Sequence, residues 1–405
     1  MKKRIAVVTT SAAIGNEKGL NRMFYLAELL ADNGYDVDFI TSDFHHWSKK
    51  HRDIETVKST NTKCNIVLLH EPGYKKNVDV RRMYSHYVLA KNIAKYLKTQ
   101  KYDLVYNDIP DNHVSALSAK YAKKSGIPFV IDVEDLWPKA MKMAFNVPVI
   151  SDIVFSYFSH DAKIAYSLSS AAVGSSDCYR DDSLNYGITI EKKETVYVGN
   201  NLELFDSGAK ENFDSVVKPE NEYWVTYAGS LSTSYDIDTL IRSIGILREK
   251  GEKDIRLILL GDGSLRSEFE KVAEPLGEIV SFKGYVSYDL MAAYLVKSDV
   301  LVNSLKKNAP QSIVSKIGDY LAAKKPMINT CVDAEFWQKV ETDGFGLNVE
   351  PDNAELLAER ILFLKNHPEE SERMSEIARK IAEEQFDRKK SYMKIVRLID
   401  SLINN

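Results

Sequence analysis

Cysteine is scarce in this 405-residue chain, and its three thiols, Cys64, Cys178 and Cys331, share no metal-ligand spacing. That usage excludes a small disulfide scaffold and predicts a reducing, cytoplasmic setting. Long apolar runs are missing too, since none approaches the ~18 residues of a membrane span. The opening MKKRIAVVTTSAAIG has a short apolar stretch with two threonines and leads into a glycine loop, so it reads as a first strand and not as a signal peptide. No repeat is visible at the periods of solenoids or propellers. With a formal net charge of −4, the chain lacks the basic balance of a nucleic-acid binder.

What is present is an ordinary globular composition, 44% hydrophobic and 28% charged. A chain of this length exceeds one typical core, which predicts two domains. The charge is unevenly shared: residues 1–205 hold 27 Lys and Arg against 24 Asp and Glu, and the remainder holds 27 against 34. Basic clusters in the first part include Lys49-Lys50-His51-Arg52, Lys75-Lys76 and Arg81-Arg82. Such clusters suit either a solvated surface or contact with anionic lipid or a phosphate-bearing molecule.

Strand-like apolar runs alternate with segments of helical period from end to end. Strands are predicted at 5–9, 36–41, 65–69, 104–106, 129–133 and 171–173, with helices over 19–33, 80–98 and 115–125. After a polar stretch at 206–222, read as a linker, a second series runs through 224–227, 256–260, 279–282, 300–303 and 327–329. Strands alternating with helices predict parallel sheets whose ligands lie at the C-terminal strand ends. The histidines are scattered or sit in a basic loop, and nothing in their spacing predicts a metal site.

The second series carries the most specific motifs, each at a strand end. Tyr227-Ala228-Gly229-Ser230-Leu231 comes first, then Leu260-Gly261-Asp262-Gly263, then Phe282-Lys283-Gly284-Tyr285-Val286, then Ser298-Asp299-Val300-Leu301-Val302-Asn303-Ser304. Last is QSIVSKIGDYLAAKKPMINT over 311–330, in which a helix is expected to open around Ser312, with Gln311, Ser312 and Ile313 at its start and Lys316 and Asp319 along it. A helix start offers free N–H groups to a diphosphate, although the same segment also reads as an ordinary amphipathic helix.

In this order the motifs resemble the donor domain of family-4 retaining glycosyltransferases, and VYVGNNLELF at 196–205 is similar to that family's interdomain segment. The resemblance implies an α/β protein of the GT-B fold, with two Rossmann-like domains facing across a cleft. An acceptor domain would span 1–205, with a return helix over 387–405 crossing back to it, and a nucleotide-sugar domain would span 206–386. Within the second domain the donor diphosphate is implied near Gly229, Ser230, Lys316 and residues 311–313. Asp319 would meet the ribose, and Gly261, Asp262, Gly263 and Tyr285 the base. Gly15 resembles the glycine of the loop near the donor phosphate.

FVIDVEDLWP at 129–138 resembles a D-x-R-D-L-W-P variant of surface-polysaccharide enzymes, which sets Glu134 and Asp135 at or beside the family's active-site histidine. Asp135 alternatively caps the next turn. YKKNVDVRRMYSH at 74–86 resembles an acceptor-side loop, in which Tyr74, Arg81 and Arg82 would hold a diphosphate through forked hydrogen bonds. Either arginine is equally read as a solvent-exposed helix start. The chain departs from the family where it has Ser230 and Tyr235 in place of an arginine and a lysine, and Gln311 in place of a glutamate; Lys316 is the cation placed to compensate.

The resemblance therefore implies transfer of a sugar from a nucleotide-sugar, UDP-linked, to a lipid-linked saccharide at the inner face of a bacterial membrane. Neither a cofactor nor a metal is expected, nor a nucleic-acid partner. The missing cations leave a non-catalytic, transferase-like partner as the alternative, with a nucleotide-sugar epimerase third.

Overall fold

The computed structural model describes residues 2–15, 17, 19, 21–76, 79–137, 150–309 and 313–404, with backbone only for 150–154. It divides into two compact units, Met1–Val196 with Tyr392–Asn405, and Tyr197–Ser391.

The first unit is built on seven parallel strands: β1 (Arg4–Val8), β2 (Asp36–Ser42), β5 (Asn65–Leu69), β6 (Leu104–Ile109), β7 (Phe129–Val133), β8 (Ala171–Gly174) and β9 (Lys193–Thr195). Their order is β5-β2-β1-β6-β7-β8-β9, and a hairpin of β3 (Phe44–His45) and β4 (Lys50–His51) stands outside the sheet. Strands covered on both faces read as continuous apolar runs. In β1, Ile5 and Val7 enter one hydrophobic cluster while Ala6 and Val8 enter another. The first of these clusters also holds Tyr392, which precedes the helix Met393–Ile403, and Ile395 and Ile399 from that helix.

The second unit repeats the plan with six parallel strands: β10 (Tyr223–Ala228), β11 (Ile255–Leu260), β12 (Val280–Gly284), β13 (Val300–Asn303), β14 (Met327–Asn329) and β15 (Gly346–Asn348). The order is β12-β11-β10-β13-β14-β15. In each sheet the order reverses beside the first strand, between β1 and β6 and between β10 and β13. At such a switch point loops diverge and leave a crevice at the C-terminal strand ends.

Two expectations change. The polar stretch 206–222 is not a linker: it begins within the helix Leu202–Glu211, capped by Asn201, which buries Leu202, Phe205, Gly208 and Ala209. Gly208 permits the close approach, because a Cβ there would lie 2.7 Å from the Asp289 carboxylate. The boundary between units therefore falls at Val196/Tyr197 and not at 205/206. Gly199, at φ +59°, and Asn200 tie this segment to the second unit, where Asn200 N donates to Phe386 O at 2.9 Å and Arg388 N to Asn200 O at 2.9 Å. The return segment likewise starts at Tyr392, five residues later than expected. No helix of the described residues is long and apolar enough to cross a membrane.

Candidate active site

In the second unit, three strand-end loops interlock through their backbones. Gly229 N donates to Leu260 O at 2.9 Å, Gly261 N to Gly284 O at 2.7 Å and Leu231 N to Asp262 O at 2.9 Å. Glycine is required at Gly261, where φ is +122° and a Cβ would lie 1.9 Å from Gly229 O. Asp262 accepts from Gly263 N at 2.8 Å and leaves its side chain exposed, as are Ser230 and Tyr285.

Above the end of β10 sits Lys316, the first residue of the helix Lys316–Ala322. Its Nζ is withdrawn from solvent and has no hydrogen-bond partner among the described residues. It rests 4.1 Å from the centre of the Tyr227 ring and 4.3 Å from that of Tyr235. Aromatic faces attract a cation without neutralising it. Burial pulls the Lys316 amine down to about 7. A Cβ on Gly229 would come within 3.2 Å of this nitrogen, so the glycine keeps the space in front of the amine clear.

The neighbouring turn of the helix faces elsewhere. Asp319 Oδ1 accepts from Asn200 Nδ2 at 3.0 Å and from Tyr288 Oη at 2.6 Å. Burial raises the Asp319 carboxyl, and these two donors oppose the rise. Tyr320 donates to the Val302 and Ala228 carbonyls, both at 3.3 Å, fixing the helix against β10 and β13. The helix expected to open around Ser312 begins at Lys316; Gln311 and Ser312 lie outside the described residues, and Ile313 packs against the core.

The first unit gathers carboxylates at its own switch point. A cavity of about 120 Å³ is lined by Ser11, Ala12, Arg22, Met23, Asp108, Pro110, Glu134 and Asp135. Arg22 forks onto Asp132 beneath it, and Glu134 Oε1 lies 3.6 Å from Arg22 Nε. Asp108, at the end of β6, accepts from Thr9 Oγ1 at 2.8 Å, and burial pushes its carboxyl up to about 7. Asp135 accepts from Leu136 N at 2.8 Å and Trp137 Nε1 at 3.1 Å, so it caps its turn and lines the cavity at once. Burial raises its carboxyl as well.

Beside these strand ends, Arg82 covers two rings, 4.9 Å from Trp137 and 5.4 Å from Tyr74. Tyr74 is buried, its hydroxyl 2.5 Å from His46 Nδ1. Burial, together with the charges of Lys49 and Arg82, drives His46 down to about 3. His86 Nδ1 lies 2.9 Å from Asp111 Oδ2. Arg81 is exposed on the helix Val80–Leu97, where its N–H donates to the Asp79 cap at 3.0 Å.

Residues 209–381 match the family described as glycosyl transferases group 1. The second unit is a glycosyl transferases group 1 domain. The chain is a glycosyltransferase, and its solved structural neighbours share its fold end to end. Anabaena HepE in complex with UDP is similar with a TM-score of 0.73 at 15% identity, covering 99% of this chain and 100% of that one. Sucrose-phosphate synthase from Thermosynechococcus elongatus has a TM-score of 0.71 at 18% identity, with both chains covered in full. WaaG, a glycosyltransferase involved in lipopolysaccharide biosynthesis, has a TM-score of 0.66 at 15% identity, covering 99% of this chain and 100% of WaaG. Identities this low establish the fold alone, GT-B with two Rossmann-like domains. Among curated protein sequences none matches.

In this glycosyltransferase the predicted residues separate into groups. Gly229, Gly261, Gly263 and Lys316 converge at the strand ends of the second unit, with Asp319 turned toward Asn200 and Tyr288. Glu134 and Asp135 line one cavity in the first unit, and Tyr74 with Arg82 forms a stack from which Arg81 is absent. Gly15, at φ +57°, turns the loop after β1. Asp108 was not among the predicted residues, because β6 was read as ending at Tyr106; the run Asn107-Asp108-Ile109-Pro110 was the available signal.

Proposed function

We propose that this glycosyltransferase moves a sugar from a UDP-linked donor, with retention of configuration, to a lipid-linked saccharide during assembly of a bacterial surface polysaccharide. The observation that carries the donor half is the Lys316 amine, shielded from solvent, resting on two ring faces and without a hydrogen-bond partner among the described residues. A buried cation with no counter-charge is costly, and a diphosphate seated before Gly229 would supply one. The same contact strengthens as the nucleoside diphosphate departs with its extra negative charge, which is where an electrostatic contact lowers a barrier. No metal or other cofactor is needed in this reading, because Lys316 meets the leaving group. Retention follows a front-face path in which the departing phosphate takes the acceptor's proton. The UDP assignment draws support from HepE, crystallised with UDP-glucose.

The acceptor half rests on the first unit. Carboxylates at Glu134, Asp135 and Asp108 are suited to sugar hydroxyls, and Arg82 to a diphosphate. On the helix Val80–Leu97, Val80, Met83, Tyr84 and Tyr87 are exposed together, with exposed Lys75, Lys76 and Arg81 alongside. An exposed apolar and aromatic helical face with basic residues beside it fits the interface of an anionic membrane, which supports a peripheral position at its cytoplasmic side. WaaG's part in lipopolysaccharide biosynthesis agrees with this.

Titration calorimetry with UDP and a panel of UDP-sugars, followed by assay of UDP release, tests the proposal. Binding with slow donor hydrolysis is expected. The absence of binding by any nucleoside diphosphate at millimolar concentration would sink it, and tight binding without turnover would favour the non-catalytic alternative to which Ser230 and Tyr235 point. For the acceptor half, Arg82→Ala should abolish transfer to a polyprenyl-diphosphate saccharide while donor binding is retained.

A further inference from the structure

The histidines that look scattered in the sequence are not all scattered in space. Asp43 ends the turn out of β2, His51 closes the hairpin on β4, and His70 follows β5. His70 Nδ1 lies 3.0 Å from Asp43 Oδ2, and His51 Nδ1 lies 3.4 Å from Asp43 Oδ1. One donor atom from each of the three falls within 4.8 Å of the other two.

We propose that Asp43, His51 and His70 form a binding site for a divalent transition-metal ion, Zn²⁺ by the chemistry of its donors, which clamps the β3–β4 hairpin to the end of β5. Two imidazoles with one carboxylate are a donor set that zinc accepts, water filling the remaining position. In a tetrahedral site with bonds of about 2.0–2.1 Å, neighbouring donors stand about 3.3 Å apart. Each imidazole already stands near that distance from one of the two Asp43 oxygens, His70 Nδ1 at 3.0 Å from Oδ2 and His51 Nδ1 at 3.4 Å from Oδ1, and rotation of the exposed rings would bring both onto one ion. The imidazole planes are 9° from parallel with centres 5.9 Å apart, so neither ring blocks the other. The side chains of Asp43, His51 and His70 are 22%, 49% and 63% exposed, which leaves an entry path and room for water.

The backbone around the donors is already fixed. Asp43 N donates to Leu69 O at 2.8 Å, tying the hairpin to the strand that leads into His70, and Arg52 N donates to Asp43 O at 2.7 Å, closing the two ends of the hairpin on each other. The His70 carbonyl accepts from Asn92 Nδ2 at 2.8 Å, and Glu71 N donates to Asp43 Oδ1 at 2.8 Å. A metal would therefore meet side chains rooted in a fixed backbone and need only the rotation of two exposed rings. It would also fix Phe44, whose ring lies 5.5 Å from His51 and 5.0 Å from Tyr74. The site is independent of the donor assignment, since every residue in it belongs to the first unit.

The test uses the full chain, stripped with a chelator and titrated with Co²⁺ by visible absorption and with Zn²⁺ by calorimetry. One equivalent should bind in the micromolar range or tighter, and a hundredfold excess over Kd should raise the melting temperature by several degrees. His51→Ala, His70→Ala and Asp43→Asn should each weaken binding at least tenfold, while His367→Ala in the second unit leaves it unchanged. Melting of each metal-free variant shows that it folds; His70 is the most exposed donor, so its variant is the safest. Failure of the wild-type chain to bind one equivalent at 100 Kd-scale loadings of about 0.1 mM, or equal binding by the His51 and His70 variants, overturns the proposal.

Discussion

Arg22 and Asp132 form a forked ion pair sealed inside the first unit, with Nε to Oδ2 at 3.0 Å, Nη2 to Oδ1 at 3.2 Å and neither side chain more than 1% exposed. Tyr106 Oη adds a bond to Asp132 at 2.7 Å, and Arg22 Nη1 donates to Val196 O at 2.7 Å. Removing one partner of such a pair strands the other charge, at a cost of about 3–5 kcal/mol. Arg22→Met should therefore lower the stability of the first unit by that order in urea unfolding. An unchanged unfolding midpoint would show that Asp132 is satisfied without it.

The same guanidinium reaches the end of the chain, with Nη1 3.3 Å from Tyr392 Oη. Tyr392, Ile395 and Ile399 are fully buried in the cluster that holds Ile5, Val7 and Leu26. Each large apolar side chain buried there contributes about 1.5–3 kcal/mol. Deleting residues 392–405 should melt the first unit at a markedly lower temperature while nucleotide binding by the second is retained. Calorimetric scanning separates the outcomes, and a full-length melting profile in the truncated chain would show that the helix adds nothing to that core.

Asp108 gives the first unit a pH signature. Its folded carboxyl is held at about 7 by burial, above the 3.8 of a free aspartate. Between these values the unfolded chain has released the proton and the folded chain keeps it, so the unfolded state binds fewer protons. Stability then falls as pH rises from about 4 to 7 and levels off above, by an amount on the order of 4 kcal/mol. Asp108→Asn keeps an acceptor for Thr9 Oγ1 and removes the titration. Its unfolding free energy should match the wild type near pH 4 and exceed it at pH 8; parallel curves would place the titration elsewhere.

The sheets were legible because parallel strands buried on both faces leave runs such as IAVV and RLILL, which a one-dimensional reading detects. What was missed has little apolar signal. β9 is Lys-Glu-Thr, β15 is three residues, and the helix Leu202–Glu211 shows four buried positions amid acids and polar groups. The glycine loops of the second unit were readable because only glycine allows Gly261 to touch the Gly229 carbonyl. Pairings between distant segments were not readable. Nothing near Lys316 in sequence announces Tyr227 and Tyr235 as its cage, and Asp43, His51 and His70 meet only because β2, β4 and β5 end together.

Lys316 supplies the most direct test of the donor site. With its amine at about 7 when the site is empty, roughly half the molecules carry the charge at neutral pH. A diphosphate placed against it favours the charged form, so binding above that pH takes up a proton. Affinity for UDP-glucose, whose diphosphate does not titrate between about pH 6 and 8.5, should be greatest near pH 6 and weaken by up to about tenfold for each unit above 7. Lys316→Met fills the same space between the two rings without a charge. It should lose the pH dependence and bind about 10- to 100-fold more weakly at pH 6, the value of a hydrogen bond to a charged group. Stability moves the other way. The amine sits below its unfolded value of 10.5, so between pH 7 and 10.5 the unfolded chain binds more protons and the wild type gains stability as pH rises. Lys316→Met should lack that gain and be the more stable protein at pH 6. Weaker binding together with a lowered melting temperature would instead mean that the lysine supports the fold, and a nucleotide affinity flat across pH in the wild type would remove it from the diphosphate site.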